Sequence, residues 1–308
     1  MGDGRDRALR PLRVLSPQQR EAYERDGFIA LASFVDEDWL ARLRAVAGQF
    51  VEKSRSLREP NRIFDLESDH SEERPRLRRL TSPADLDETF WEFASEGPIV
   101  DVVEDLIGPD IKFHHSKLNF KVAHGGEEVK WHQDISFWPH TNYSPLTVGV
   151  FLEDVSAEMG NVGFLPGSHE GELFSQYEGE DWVGCLSEKD VATLDLERAV
   201  YPQGPAGTIT VHNCRTVHGS SPNASDRERP LLLQTYASAD AFAYTDLVRE
   251  SLHGDTLIRG TAARWARHDP RPCQVGPSRV RTIFEVQQRG GDTRRTRSLT
   301  EPGSDAGR

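Results

Sequence analysis

Apolar positions follow two different periods along the chain. From Trp39 to Val51 they recur every three or four residues, as Trp39, Leu40, Leu43, Val46, Ala47, Phe50 and Val51. That spacing predicts an amphipathic helix lying against a sheet, its stripe serving as core. Asp36 stands where it can cap this helix. Ser16-Pro17, with Gln19 three residues after the serine, forms the capping box of an earlier helix ending near Gly27. Shorter helices are expected near Thr89 to Ala94 and Pro98 to Ile107, the second stopped by Gly108-Pro109. Beyond that point the period changes to two. Short β-rich runs occupy Lys112–Val122, Leu146–Val155, Val162–Leu165, Thr208–His212 and Leu231–Ala237, separated by Gly, Pro, Asn and Ser, and a run from Arg279 to Val286 is expected to close the sheet. Helices first and short strands later predict a mainly β fold with flanking helices. The expected core is a double-stranded β-helix (jelly roll, cupin-like), with the N-terminal helices packed on one sheet.

Two stretches break the pattern. From Glu52 to Pro83 charge dominates around an isolated Ile63-Phe64, which predicts a long loop. Residues 240–277, containing Trp265 and a candidate helix, read as an insertion near the barrel mouth. Both 52–86 and 240–277 are therefore expected as loop or lid-like excursions from a single domain spanning 1–288. Residues 289–308 are Gly, Arg, Ser, Thr and Asp with almost nothing apolar and are expected to be a disordered tail.

Charge narrows the function classes. With 37 Lys and Arg against 50 Asp and Glu, the 308-residue chain carries a formal charge of −13. Its field opposes nucleic acid and anionic membranes. Cys185, Cys214 and Cys273 are far apart and lack CxxC spacing, which argues against a disulfide framework or a thiolate metal site. No run of 18 apolar residues occurs. The expectation is a cytoplasmic protein acting on a small molecule, with its oligomeric state left open.

The chemistry concentrates in Lys130-Trp131-His132-Gln133-Asp134-Ile135. On an extended strand, residues two apart share a face, so His132 and Asp134 can reach one ion. Downstream, Thr210-Val211-His212-Asn213-Cys214-Arg215-Thr216-Val217-His218 offers a second histidine, His218, at the end of another strand-like run. Two histidines and one carboxylate with open coordination positions are the ligand set of non-haem Fe(II) oxygenases. His212 is the competing second histidine. His114, His115, His124, His140 and His169 have no carboxylate at a matching spacing.

An ordered series extends the motif: Arg25-Asp26-Gly27-Phe28-Ile29, Lys117-Leu118-Asn119-Phe120-Lys121, Trp131-His132-Gln133-Asp134, Gly160 to His169, His218-Gly219-Ser220, and Arg229. In this order the residues resemble the phytanoyl-CoA dioxygenase-like (PhyH) family of Fe(II)/2-oxoglutarate-dependent oxygenases, over roughly 16 to 240. The resemblance implies Fe(II), 2-oxoglutarate as cosubstrate and O2, with decarboxylation to succinate coupled to hydroxylation of a substrate C–H. The far carboxylate of the keto acid needs a fixed cation, and a guanidinium matches it bidentately. Strand parity leaves Arg227 and Arg229 equivalent. The family's spacing of eleven residues after the second histidine selects Arg229. By the same resemblance Ser220, Gln133, Lys117 and Asn119 are expected beside the cosubstrate, with Thr147 as a further candidate. Phe137 and Trp138 are expected to wall the substrate.

Related halogenases lack the carboxylate that Asp134 supplies, so hydroxylation or other oxidative tailoring of a small secondary metabolite is the expected activity. Two other classes compete with it. One is a catalytically silent cupin-like binding protein; the other is a Zn-dependent hydrolase, which would leave Arg229 without a role.

Overall fold

The computed structural model describes residues 11–245, 251–277, 283–284 and 286–287. Helix α1 (Pro17–Asp26) begins as its capping box predicts. Ser16 Oγ accepts from the Gln19 amide at 3.2 Å, and Gln19 Oε1 accepts from the Ser16 amide at 2.8 Å. It ends at Gly27, whose φ of 80° lies in the left-handed region and where a Cβ would sit 2.5 Å from the His169 ring. Strand β1 (Phe28–Leu31) follows, then α2 (Glu37–Ser54), capped by Asp36 on the Trp39 amide at 2.9 Å. The stripe Leu40, Leu43, Val46, Ala47 and Phe50 is buried as expected.

The charged stretch after α2 is where the loop expectation fails. It holds β2 (Phe64–Leu66) and β3 (Leu77–Thr81), and β3 pairs with the long strand β4 (Ile111–Lys121). Leu77 and Leu80 are almost fully buried, so two leucines suffice to seat a strand whose other positions are two arginines and a threonine. Helices α3 (Pro83–Leu86), α4 (Glu88–Glu96) and α5 (Ile99–Ile107) lie between β3 and β4 in sequence.

From β4 onward the chain alternates between two sheets. β4, β6 (Leu146–Phe151), β10 (Ile209–Asn213) and β12 (Arg229–Ser238) join the large sheet, in the order β1-β10-β6-β12-β4-β3-β2. β5 (Val129–His132), β7 (Val162–Phe164) and β11 (His218–Ser220) form a small sheet in the order β5-β11-β7. A hairpin of β8 (Tyr177–Glu178) and β9 (Asp181–Trp182) and a short helix α6 (Glu188–Val191) decorate the connection from β7 to β10. This alternation between antiparallel sheets is the double-stranded β-helix expected from the sequence.

Strand parity gives the large sheet two unlike faces. Ile111, Phe113, Leu118, Phe120, Leu146, Val148, Val150, Ile209, Val211, Leu232 and Tyr236 share one buried cluster with apolar residues of α2, α4 and α5. The opposite face carries Arg79, Lys117, Asn119, Lys121, Thr147, Thr210, His212, Arg229 and Thr235 and lines a cavity. A bulge in β4 at His114, opposite Thr235 and Tyr236 of β12, lets the consecutive residues His114 and His115 both line that cavity.

The expected helix near Trp265 is not found among the described residues of 251–277. These instead supply strand β13 (Leu257–Arg259) on the edge of β4, with Trp265 exposed. Of the expected closing strand Arg279 to Val286, residues 279–282 and 285 lie outside the described residues, and 283, 284 and 286 are helical. Residues 289–308 lie outside them as well.

Candidate metal centre and cosubstrate site

His132 ends β5 and His218 opens β11, and the two are direct cross-strand partners. Asp134 lies beyond the strand, in a 3₁₀ turn (Asp134–Ser136). Gln133 keeps extended angles (φ −123°, ψ 125°), so alternation carries past the strand end and Asp134 still faces the histidines. The ligand atoms of His132, Asp134 and His218 all lie within 4.8 Å of one another, and all three residues are buried. Nε2 of His132 and His218 stand 3.6 and 3.8 Å from Asp134 Oδ1, too far for hydrogen bonds and suited to an ion between them.

The tautomers fit the same purpose. His132 Nδ1 donates to the Lys130 carbonyl and His218 Nδ1 to the Thr216 carbonyl, each at 2.8 Å, which leaves both Nε2 lone pairs facing the centre. Burial first, then His132 and His212, pushes the His218 imidazole well below 6.5, toward the neutral form that coordinates. Burial alone would raise the Asp134 carboxyl. His218, His132 and His212 outweigh it and hold the group well below 3.8, ionised. The donor set therefore fits Fe(II).

His212, weighed in the sequence as a rival ligand, has another position. Its Nε2 lies 3.3 Å from Oδ2 of Asp134, the oxygen turned away from His132 and His218. Thr147 Oγ1 approaches the same oxygen at 3.5 Å and bonds Thr235 Oγ1 at 2.9 Å. Thr147 thus borders the metal carboxylate.

Arg229, at the start of β12, is 3% exposed and lines the cavity, donating from Nε to the Met159 carbonyl at 3.1 Å. Among the described residues no carboxylate pairs with it, and burial lowers it only to about 10, so it remains a cation in need of an anion. Arg227 precedes the strand, is exposed and is not among the residues lining the cavity. Ser220 and Asn119 line the same cavity, and Asn119 Oδ1 is buried without a partner. Gly149, on the same face of β6, has no room for a side chain: a Cβ would meet Thr210 Oγ1 at 2.8 Å and Leu233 at 3.3 Å.

Gln133 is a correction. Alternation turns it to the opposite side, where Nε2 donates to the Arg215 and Glu172 carbonyls and Oε1 accepts from the Phe174 amide. It pins loops behind the metal strand and is not among the cavity residues. Lys121 has a related task that sequence reasoning missed. Its ammonium donates to the carbonyls of Glu127 (2.9 Å), Ser220 (3.2 Å) and Ser221, tying the end of β11 to β4. Phe137 and Trp138 both line the cavity, Phe137 meeting the His132 ring edge-on at 5.7 Å. Lys117 lines it too, without a hydrogen bond to any described residue.

Arg79 lies in the stretch where the sequence predicts a loop, and the strand found there carries it to the site. It is 7% exposed, lines the cavity and makes no salt bridge among the described residues. The available signal was the spacing of Leu77 and Leu80 around the arginines.

Known proteins resemble the chain in sequence and in fold. The family model for phytanoyl-CoA dioxygenase (PhyH) matches residues 23–231. A probable alpha-ketoglutarate-dependent hypophosphite dioxygenase of Stutzerimonas stutzeri is 34% identical over 266 residues, covering 85% of this chain and 92% of the relative. An L-proline trans-4-hydroxylase of Streptomyces griseoviridis is 27% identical, covering 70% of this chain and 83% of its own. The crystal structure of EctD from S. alaskensis with bound Fe shares the fold at a TM-score of 0.64 and 22% identity, over 85% of this chain and 93% of that one.

Proposed function

The chain belongs to the phytanoyl-CoA dioxygenase family, and from that premise we infer that it is an Fe(II)- and 2-oxoglutarate-dependent dioxygenase that oxidises a small molecule. The observation that carries this reading is the coexistence of the His132–Asp134–His218 cluster with a buried, unpaired Arg229 in one cavity.

His132, Asp134 and His218 would hold the iron, and Arg229, supported by Ser220 and Asn119, would hold the far carboxylate of the keto acid. The bound iron and keto acid supply the oxidising chemistry, consuming O2 and yielding succinate. The residues of the chain do the positioning. His212 and Thr147 steady Asp134 through its second oxygen, and the Lys130 and Thr216 carbonyls fix the histidine tautomers. Phe137, Trp138 and Phe164 present apolar surface that limits water near the metal.

The cavity volume is 180 Å³, below the roughly 300–1,000 Å³ of sites for drug-sized ligands. The keto acid must share it, which favours a compact substrate over a large secondary metabolite. The named substrates of the relatives, hypophosphite and proline, are small. A Zn hydrolase would leave Arg229 idle, and nothing in the site favours it.

Anaerobic titration with Fe(II) and 2-oxoglutarate tests the reading. A weak visible charge-transfer band should appear, followed on admission of O2 by succinate release. Absence of both binding and band would overturn it.

A further inference from the structure

With iron and the keto acid in place, the charges of the site would already be matched. The two positive charges of Fe(II) and the one on Arg229 balance the carboxylate of Asp134 and the two carboxylates of 2-oxoglutarate. Lys121 is saturated by its three backbone carbonyls, and Glu127, the other carboxylate lining the cavity, pairs with Arg78. Two cations in the same cavity remain unaccounted for, Arg79 and Lys117.

They are neighbours by register. Arg79 of β3 faces Asn119 of β4, and Thr81 faces Lys117, so the two cationic side chains stand one pairing step apart on the cavity face. Neither makes a hydrogen bond or salt bridge with another described residue, and Arg79 Nε is buried without a partner. Burial lowers Lys117 to about 8 and Arg79 to about 10; Asp134 and Asp65, the β2 register partner of Arg79, offset this only in part, and neither forms a salt bridge with them. Unpaired buried charge of this kind is costly and is retained where a ligand neutralises it. The surroundings suit a small ligand: Thr81, Ser82 and His115 add hydrogen-bonding groups, and Trp138, beside His114 and His115, adds an apolar wall.

We propose that Arg79 and Lys117 form the anion-recognition subsite for the primary substrate, which is a compact oxyanion held beside the metal. This rests on the oxygenase reading and narrows it. Arg79 is placed to take two oxygens of a phosphorus oxyacid or carboxylate through its guanidinium fork, with Lys117 as a point charge beside it.

The test uses the full chain loaded anaerobically with Fe(II) and 2-oxoglutarate, with inorganic phosphite and propionate as alternative probes in calorimetric titration. The loaded protein should bind at least one probe, and the preferred probe distinguishes a phosphorus oxyacid from a carboxylate. Arg79→Gln and Lys117→Met should each weaken that probe about tenfold or more, while 2-oxoglutarate binding, read from the charge-transfer band, stays within about twofold. Arg79→Lys, which keeps the charge and loses the fork, should fall between and guards against a folding defect in Arg79→Gln. Failure of both probes to bind a protein that shows the band would overturn the subsite alone. So would unchanged probe affinity in the Arg79 variants, or parallel loss of 2-oxoglutarate, which would assign the pair to the keto acid. A wild-type protein without the band would overturn the oxygenase reading and the subsite together.

Discussion

Nε2 of His212 lies 3.3 Å from Oδ2 of Asp134, so the carboxylate that would bind iron through one oxygen is held by a histidine through the other. Such supporting contacts orient the ligand and raise its basicity, and their loss typically lowers metal affinity about 10- to 100-fold. We expect His212→Leu to fold and to bind Fe(II) weaker by that factor in an anaerobic titration. Unchanged affinity would remove the supporting role.

Arg229 should govern the cosubstrate. Losing a charge-assisted bond is worth roughly 1.5–3 kcal/mol, so Arg229→Gln should raise the KM for 2-oxoglutarate by about 10- to 100-fold, with iron affinity retained. Arg229→Lys should recover part of the loss. Steady-state kinetics at saturating substrate decide it, and a KM equal to that of wild type would exclude Arg229 as the anchor.

Gly149 lies against Thr210, Leu231 and Leu233, three residues that line the cavity. In Gly149→Val the new side chain would press on Thr210 and Leu233, and overpacking of this kind costs about 1–3 kcal/mol. The expected signature is a lower melting temperature together with a raised KM for 2-oxoglutarate. A variant with wild-type KM would mean that these residues relax away from the cosubstrate.

His140 should contribute to acid sensitivity. It is 2% exposed, donates from Nδ1 to the Trp138 carbonyl at 2.7 Å, and burial pushes its imidazole from 6.5 down to about 4. Below pH 6.5 the unfolded chain takes up a proton that the folded chain refuses, so stability falls as pH falls. The loss stops growing near pH 4, where the folded imidazole also protonates, and reaches about 3 kcal/mol. In His140→Gln, denaturant unfolding between pH 6.5 and 4 should show a correspondingly shallower decline. An identical pH slope would show that other groups carry the effect.

The pairing of His132 and Asp134 in one cluster was legible in the sequence because they are two apart and the intervening Gln133 is extended. Strand alternation is a local rule, and it held even though the strand ends at His132. The helices Pro17–Asp26, Glu37–Ser54, Glu88–Glu96 and Ile99–Ile107 were legible through caps and apolar stripes for the same reason, whereas the short helix Pro83–Leu86 fell inside the stretch expected as a loop. Gln133 misled because family position and strand parity disagreed, and parity prevailed. What could not be read were features created by pairing at a distance. The spacing of Leu77 and Leu80 can hint at a strand but does not name β4 as its partner, and it is that pairing which brings Arg79 into the cavity. The bulge at His114 is equally silent, since it exists only relative to β12.

The direct pairing of His132 with His218 ties the catalytic centre to the length of two very short strands. Inserting or deleting one residue in β5 or β11 would turn a ligand to the far side of the small sheet and abolish the centre outright. A change of length can therefore leave the cluster intact only outside the two strands that carry His132 and His218.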